Sequence, residues 1–180
     1  GVSSAMPMKM ARSMCPDAIV IRGDMEMYSN YSHIVTGIIA ERSPLYEKAS
    51  IDEHYIDLTG MDRFYGCYKW SHELRQYIIK ETGLPISIGL SVNKTVSKIA
   101  AGEAKPNGEI EVKKEIVLPF LDPLSISKIP MVGQKTYHTL RSMGIATIYT
   151  LRNIPAEMLE NLMGKSGIEI CKRANGIDST

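Results

Sequence analysis

Two adjacent acids mark the first place where this sequence could do chemistry. Asp52 and Glu53 follow Ser50-Ile51, between two predicted short strands at 45–51 and 54–58, and so lie at the turn of a hairpin. Neighbours on a strand point to opposite faces, whereas at a turn both carboxylates can converge on one cation. Mg²⁺ prefers carboxylate oxygens and substrate phosphates, and two-metal phosphoryl transfer needs such acids. Acidic pairs are also typical of ordinary exposed turns, so this pair needs support from elsewhere in the chain.

Three lysines form the second candidate. Lys94, Lys98 and Lys105 are spaced so that a helix with 3.6 residues per turn carries them on nearly the same side. That face, next to the Lys-Pro-Asn-Gly turn at 105–108, could hold a triphosphate or a nucleic-acid backbone. A solvated lysine face has the same pattern, and both interpretations stay open at this point.

The third candidate is the segment Ile-Pro-Met-Val-Gly-Gln-Lys-Thr at 129–136, an apolar turn with a glycine that opens a short predicted helix. This layout is typical of a helix-hairpin-helix, whose turn offers backbone N–H groups and a helix N-terminus to a DNA phosphate. A plain pair of antiparallel helices would give the same pattern.

The elements that must position these residues change character along the chain. Up to about Lys113, strands alternate with long helices, and beyond it only short helices and tight turns follow. The predicted helices are 5–15, 24–40, 62–82 and 93–104, then 115–121, 134–143, 148–151, 156–163 and 167–174; the predicted strands are 18–22, 45–51, 54–58, 86–91 and 109–112. We therefore predict an α+β (two-layer α/β) fold, in which a mixed sheet is covered by helices on one face and is followed by a small all-helical unit.

The composition limits the possible classes of protein. The chain has 180 residues, of which 44% are hydrophobic and 23% charged, which excludes a disordered or fibrous protein. Its 21 basic and 20 acidic residues give a net charge of +1, so a nucleic acid must be met by a local patch. Three separated cysteines and no apolar run of membrane-spanning length favour a cytoplasmic protein without a membrane partner. The start without methionine predicts a piece of a longer chain.

Taken in order, these segments resemble one family, the Y-family translesion DNA polymerases of the DNA polymerase IV kind. The resemblance covers essentially the whole chain. GVSSAMP resembles the end of the fingers, SIDEHYID the palm hairpin, GLSVNKTVSKIAAGEAKPNG the helix and turn on the nucleotide side, and IPMVGQKT the thumb hairpin. The resemblance implies the end of the fingers at 1–20, a palm without its first strand at 21–113, and a thumb at 114–180 that ends at the linker to an absent little finger.

The resemblance also implies an activity, namely the addition of deoxynucleotides to a primer during lesion bypass by two-metal phosphoryl transfer. Its partners would be primer–template DNA, a deoxynucleoside triphosphate and, through regions outside this chain, a sliding clamp. The residues matched to the family's catalytic and binding positions are the acids Asp52 and Glu53 for two Mg²⁺ ions, Lys105 for the triphosphate, Ser4, Ala5 and Met6 over the nascent base pair, and Lys98, Val132, Gly133, Lys135 and Thr136 for DNA.

Some family features are missing or changed here. The family's palm begins with a strand that supplies a further metal-binding aspartate and an aromatic residue that excludes ribonucleotides, and no such strand precedes Gly1. Ser3 stands where arginine is frequent, and Met131 replaces the usual first glycine of the thumb turn. We therefore expect residues 1–180 alone to be inactive.

Two other functions compete with the polymerase. One is a non-catalytic DNA-binding or assembly module that retains the palm and thumb. The other is a nucleotide cyclase, which the Lys-Pro-Asn-Gly turn and the thumb hairpin disfavour because a cyclase has no primer to hold.

Overall fold

The α+β class is confirmed by a computed structural model, which describes residues 1–63 and 66–178. Helices and short strands alternate in the first part of the chain. In chain order they are α1 (Met8–Met14), α2 (Met25–Arg42), β1 (Tyr46–Lys48), β2 (His54–Ile56), α3 (Cys67–Thr82), β3 (Ile88–Leu90), α4 (Lys94–Glu103) and β4 (Glu109–Glu111).

The second part contains short helices, as the sequence predicts. They are α5 (Val117–Leu121), α6 (Gln134–Ser142), α7 (Ile148–Arg152), α8 (Ala156–Met163) and α9 (Lys165–Ala174), with 3-10 turns at Lys114–Ile116 and Ile126–Lys128. Across residues 1–63 and 66–178, no helix has the length and apolar character that crossing a membrane requires.

The strands form two small ladders where the sequence predicts one mixed sheet. β1 pairs antiparallel with β2, with Tyr46 opposite Ile56, and β3 pairs parallel with β4, with Ile88 opposite Glu109. Each strand contributes only three residues, and in the described part of the chain no strand hydrogen-bonds to both ladders. The two ladders are therefore held in place by the helices that pack on them.

The predicted strand at 18–22 is wrong. The structure shows no strand there, and the side chains of Ile19 and Ile21 are 89% and 83% exposed. A β-branched run becomes a strand only where a neighbouring strand satisfies its backbone groups. Among the described residues this segment has no such partner.

Local signals fix the helix ends. Asp24 accepts a hydrogen bond from the backbone N–H of Met27 (2.9 Å) and so caps α2 as predicted, and the left-handed Gly83 ends α3. Helix α3 begins at Cys67, later than predicted, after a 3-10 turn at Met61–Arg63. Residues 64 and 65 of the predicted helix lie outside the described residues.

The apolar residues form two clusters of unequal size. The larger joins α4 to the C-terminal helices, because Val96 and Ile99 pack in the same cluster as Leu121, Leu140 and Ile170. The smaller contains Ile38 and Ile39 of α2 with Leu74 and Ile78 of α3. Helix α4 is therefore anchored by burial on the side of the C-terminal helices.

Strand β3 crosses α4 at a distance that only glycine allows. A Cβ atom built on Gly89 would overlap the backbone oxygen of Ser97 and the backbone nitrogen of Ala101. The helix backbone itself is the obstacle, so a side chain at this position cannot be accommodated by a rotamer change. Gly89 thus sets the spacing between strand and helix.

We expect Gly89→Ala to lower the free energy of unfolding by about 3 kcal/mol, because β3 must move away from α4. Gly102→Ala is the matched control, since nothing lies within 4 Å of a Cβ there and alanine favours a helix. Urea unfolding measures both. Equal stability of the two variants would show that the close approach is unimportant.

A second prediction concerns pH and the ion pair between Asp122 and Arg152. Arg152 donates to both carboxylate oxygens, at 2.5 and 2.9 Å, and these hydrogen bonds hold the pKa of Asp122 below its ordinary value of 3.8. A depressed folded-state pKa contributes stability above the unfolded pKa, and this contribution is lost as the pH falls through the folded one. The melting temperature of Arg152→Gln should therefore lie below that of wild type at neutral pH, and the gap should close below about pH 4.

Lys172→Gln removes an exposed pair with Glu169 and serves as the control, with little effect at any pH. A gap for Arg152→Gln that stays the same down to about pH 2 would contradict the assigned role of Asp122.

Candidate active site

The turn between β1 and β2 carries both acids, as predicted. The backbone N–H groups of Ala49 and Ser50 donate to the carbonyl oxygen of Glu53, at 3.0 and 3.2 Å, and close the turn. The Ser50 hydroxyl donates to Asp52 Oδ1 (2.6 Å) and accepts from the Asp52 backbone N–H (3.3 Å). Asp52 is exposed and Glu53 is half-buried, so both carboxylates can be reached by a ligand.

Helix α2 supports the hairpin from one side. Lys48 Nζ donates to the hydroxyl of Ser32 (2.8 Å), and His54 Nε2 lies 2.9 Å from Thr36 Oγ1. The Thr36 hydroxyl donates its proton to the carbonyl oxygen of Ser32 (2.7 Å), so His54 Nε2 must be the protonated nitrogen in that contact. Burial, with the charge of Lys48, lowers the pKa of His54 and favours the neutral ring.

Helix α4 supports the hairpin from the other side through two ion pairs. Lys94 Nζ contacts Glu47 Oε2 at 2.7 Å, and Lys98 Nζ contacts Glu53 Oε2 at 2.5 Å. The hydrogen bond to Glu53 raises the pKa of Lys98, so its ammonium remains charged at neutral pH. The two lysines of α4 therefore face the acidic hairpin, and one of them contacts a candidate catalytic acid directly.

An open cleft of about 2270 Å³ runs beside this contact and is lined by Asp52, Glu53, Lys98 and Lys105. Lys105 lies beyond the last residue of α4, Glu103, but it lines the same cleft as Lys94 and Lys98, as the predicted lysine face requires. Pro106 disfavours the α conformation for the residue before it. Lys105 instead projects from the turn that follows the helix, where it is exposed.

A contact that the sequence did not reveal fixes the other end of α4. Asp178 Oδ2 accepts hydrogen bonds from the backbone N–H of Thr95 (3.0 Å) and from its hydroxyl (2.7 Å). Arg173 donates to the same hydroxyl at 3.2 Å. A carboxylate at a helix N-terminus is favourable, because it satisfies a free N–H and complements the helix dipole. A separation of 83 residues left no local signal for this contact.

Apart from Lys98, the predicted DNA-contacting residues lie outside the cleft. Gly133 immediately precedes α6, Lys135 is exposed in its first turn, and Val132 packs against the main core. The element before this turn is a three-residue 3-10 helix, so the helix-hairpin-helix stays a prediction. Neither this segment, which ends at Thr136, nor the N-terminal triplet Ser4, Ala5 and Met6 is among the residues that line the cleft.

The acids suit a hard cation, but they supply only part of a ligand set. Asp52 and Glu53 offer carboxylate oxygens at an accessible turn, which is the donor chemistry that Mg²⁺ prefers. Within residues 1–63 and 66–178, no group of three or more metal-binding side chains comes together. The remaining ligands would have to come from substrate, water or other parts of the protein.

Comparison with known proteins decides the family. Residues 1–102, more than half of the chain, match the impB/mucB/samB family. The chain belongs to that family. DNA polymerase IV from Dehalococcoides mccartyi is 36% identical over 180 residues, which cover 99% of this chain and 46% of that protein. This impB/mucB/samB chain therefore spans about half the length of such a relative.

Solved structures agree with the family assignment. A crystal structure of DinB from Sulfolobus solfataricus is 27% identical and gives a TM-score of 0.88, over 99% of this chain and 54% of that one. A Y-family DNA polymerase chimera of Dbh and Dpo4 is 27% identical and gives a TM-score of 0.86, over 100% and 53% of the two chains. The resemblance of this impB/mucB/samB chain to Y-family polymerases is confirmed.

The contact between Lys98 and Glu53 can be tested by titration. We expect Glu53→Gln to return the pKa of Lys98 toward its ordinary value of 10.5, because the variant removes the carboxylate that stabilises the ammonium. Asp52→Asn is the control and should shift the pKa less, since Asp52 acts on Lys98 only through its charge. NMR of the lysine Cε resonance measures both. An unchanged pKa in Glu53→Gln would disprove the pairing.

Proposed function

We propose that this chain is part of a DNA-directed DNA polymerase that extends a primer during lesion bypass, and that the cleft holds its reacting groups. The observation that carries the proposal is the placement of Asp52 and Glu53 beside Lys98 and Lys105 in one cleft. Acids for cations and lysines for phosphates are the two requirements of nucleotidyl transfer. Similarity to a DNA polymerase IV and to Y-family polymerase structures supports the same assignment.

Each residue of the cleft has a proposed role. Asp52 and Glu53 would hold two Mg²⁺ ions, which polarise the reacting phosphate and neutralise its charge when bound. Lys98 keeps the Glu53 carboxylate directed toward the cleft and adds positive charge where DNA or nucleotide phosphates would lie. Lys105, exposed in the turn after α4, is free to reach the incoming triphosphate.

The remaining contacts are proposed on the family resemblance. Ser4, Ala5 and Met6 would cover the nascent base pair, and the segment 132–136 would hold a DNA backbone phosphate. The division into fingers (1–20), palm (21–113) and thumb (114–180) also stays a prediction, as do the cytoplasmic location and the sliding clamp. The activity is proposed for the whole protein, and we expect residues 1–180 alone not to extend a primer.

A second candidate is a non-catalytic DNA-binding or assembly module. One observation favours it, since the described residues bring together only two metal-binding acids. In such a module the exposed Lys135 and the lysines of α4 would hold DNA, and the acids would do no chemistry.

Primer extension by the full-length protein separates the two candidates. We expect Asp52→Ala and Glu53→Ala each to cut the rate of single-nucleotide addition with Mg²⁺ by orders of magnitude, while primer–template binding changes little. Glu47→Ala is the matched control, because it removes a carboxylate of the same hairpin that pairs with Lys94 outside the turn. If the wild type binds primer–template but never extends it, the non-catalytic module is the correct function.

A further inference from the structure

Arg75 is a buried charge that no step of the proposed reaction uses. It lies on α3 with its side chain only 9% exposed, beside the apolar Leu74 and Ile78 of the small core. A buried guanidinium is costly unless its N–H groups are satisfied, so its partners indicate what it does.

The partners of Arg75 lie on the Lys-Pro-Asn-Gly turn and on the segment just before β3. Its Nη2 donates to the backbone oxygen of Asn107 and, at 2.9 Å, to Asn107 Oδ1, while its Nε donates to the carbonyl oxygen of Ile86 at 2.8 Å. One planar group thus holds both the main chain and the side chain of a single turn residue, which is the kind of directional contact that arginine makes and lysine does not.

The turn depends on such a contact because its own backbone is constrained. Asn107 has a left-handed φ of 51°, which asparagine tolerates better than most residues. A Cβ atom on Gly108 would overlap the backbone of Ala104, so the turn folds back tightly against the end of α4. Its exit is held by the hydrogen bond from the Ile88 N–H to the Gly108 carbonyl oxygen (3.0 Å).

Glu109 completes the arrangement and keeps Arg75 in place. It accepts hydrogen bonds from Tyr68 (3.0 Å) and His72 (2.8 Å) and lies 3.7 Å from Arg75 Nη1. These three side chains of α3 share one helix face, since they are four and three residues apart. The turn is therefore fixed to α3 as well as to α4.

We propose that Arg75 is a positioning residue for nucleotide binding, which acts by holding Asn107 so that Lys105 projects from a rigid turn toward the triphosphate. The inference rests on the proposed function, because it takes Lys105 as the residue that meets the triphosphate. Arg75 itself lies behind the turn and acts only through it.

A double-mutant cycle in the full-length protein tests this role. Single-nucleotide insertion is measured for wild type, Arg75→Lys, Lys105→Ala and the double variant, with kcat and KM for the deoxynucleoside triphosphate determined separately. We expect Arg75→Lys to raise KM about tenfold while kcat changes by less than about threefold, because nucleotide placement is lost and the acids are untouched. In the Lys105→Ala background, Arg75→Lys should have no further effect.

Two further variants keep the test decisive. Arg42→Lys is the matched control. Arg42 of α2 stacks on Tyr77, which lies on α3 as Arg75 does, so the kinetics of this variant should equal those of wild type. Asn107→Gly keeps the left-handed backbone but removes the side-chain acceptor, and should raise KM by about threefold, again only when Lys105 is present. This variant decides the question if thermal unfolding shows that Arg75→Lys does not fold.

The outcomes distinguish the positioning role of Arg75 from the roles proposed for Lys105 and for the whole protein. Independent, multiplicative effects of Arg75→Lys and Lys105→Ala on KM would overturn the positioning role and leave Lys105 as a nucleotide contact. An unchanged KM in Lys105→Ala would instead overturn the proposed role of Lys105, and the positioning role with it. Failure of the wild type to insert any nucleotide would overturn the polymerase function itself.

Discussion

The rest of the structure depends on the orientation of helix α4, whose two opposite sides meet different surroundings. One side buries Val96, Ile99 and Ala100 completely or nearly so in the core shared with the C-terminal helices. The other side presents Lys94 and Lys98 to the acidic hairpin. Because Gly89 lets β3 lie directly on the helix backbone, the helix cannot rotate to relieve either requirement. The cleft takes its shape from this fixed helix.

Two ion pairs and two hydrogen bonds connect the acidic hairpin to the helices beside it. The hairpin contacts α2 through Lys48 and His54 and contacts α4 through Glu47 and Glu53. Ion pairs as exposed as the two to α4 add little to stability, but together with the two hydrogen bonds to α2 they define where the turn can lie. A two-stranded ladder of three residues per strand would not hold an acidic turn in place alone.

Local sequence patterns predicted much of this arrangement, whereas the contacts between residues far apart in the sequence could not be predicted. Asp24 and Gly83 specified helix ends by their own chemistry, and the acid pair could be assigned to a turn from its position between two apolar runs. The run at 18–22 failed as a strand because strand formation depends on a partner that local sequence does not encode. Arg75 gave no local signal of its role, because its partner Asn107 lies 32 residues away. Such pairings arise only from the fold.

The contact of Asp178 with Thr95 has a consequence for the order in which the chain can fold during synthesis. The two residues are 83 positions apart, so the N-terminus of α4 stays without this partner until almost the whole described chain has been made. At about 5 to 20 residues per second, the ribosome needs roughly 4 to 17 s to add that stretch. The apolar side of α4 also lacks its packing partners Leu140 and Ile170 over much of the same interval, because they have not yet been synthesised. Assembly of the cleft therefore lags behind the synthesis of most of the residues that line it.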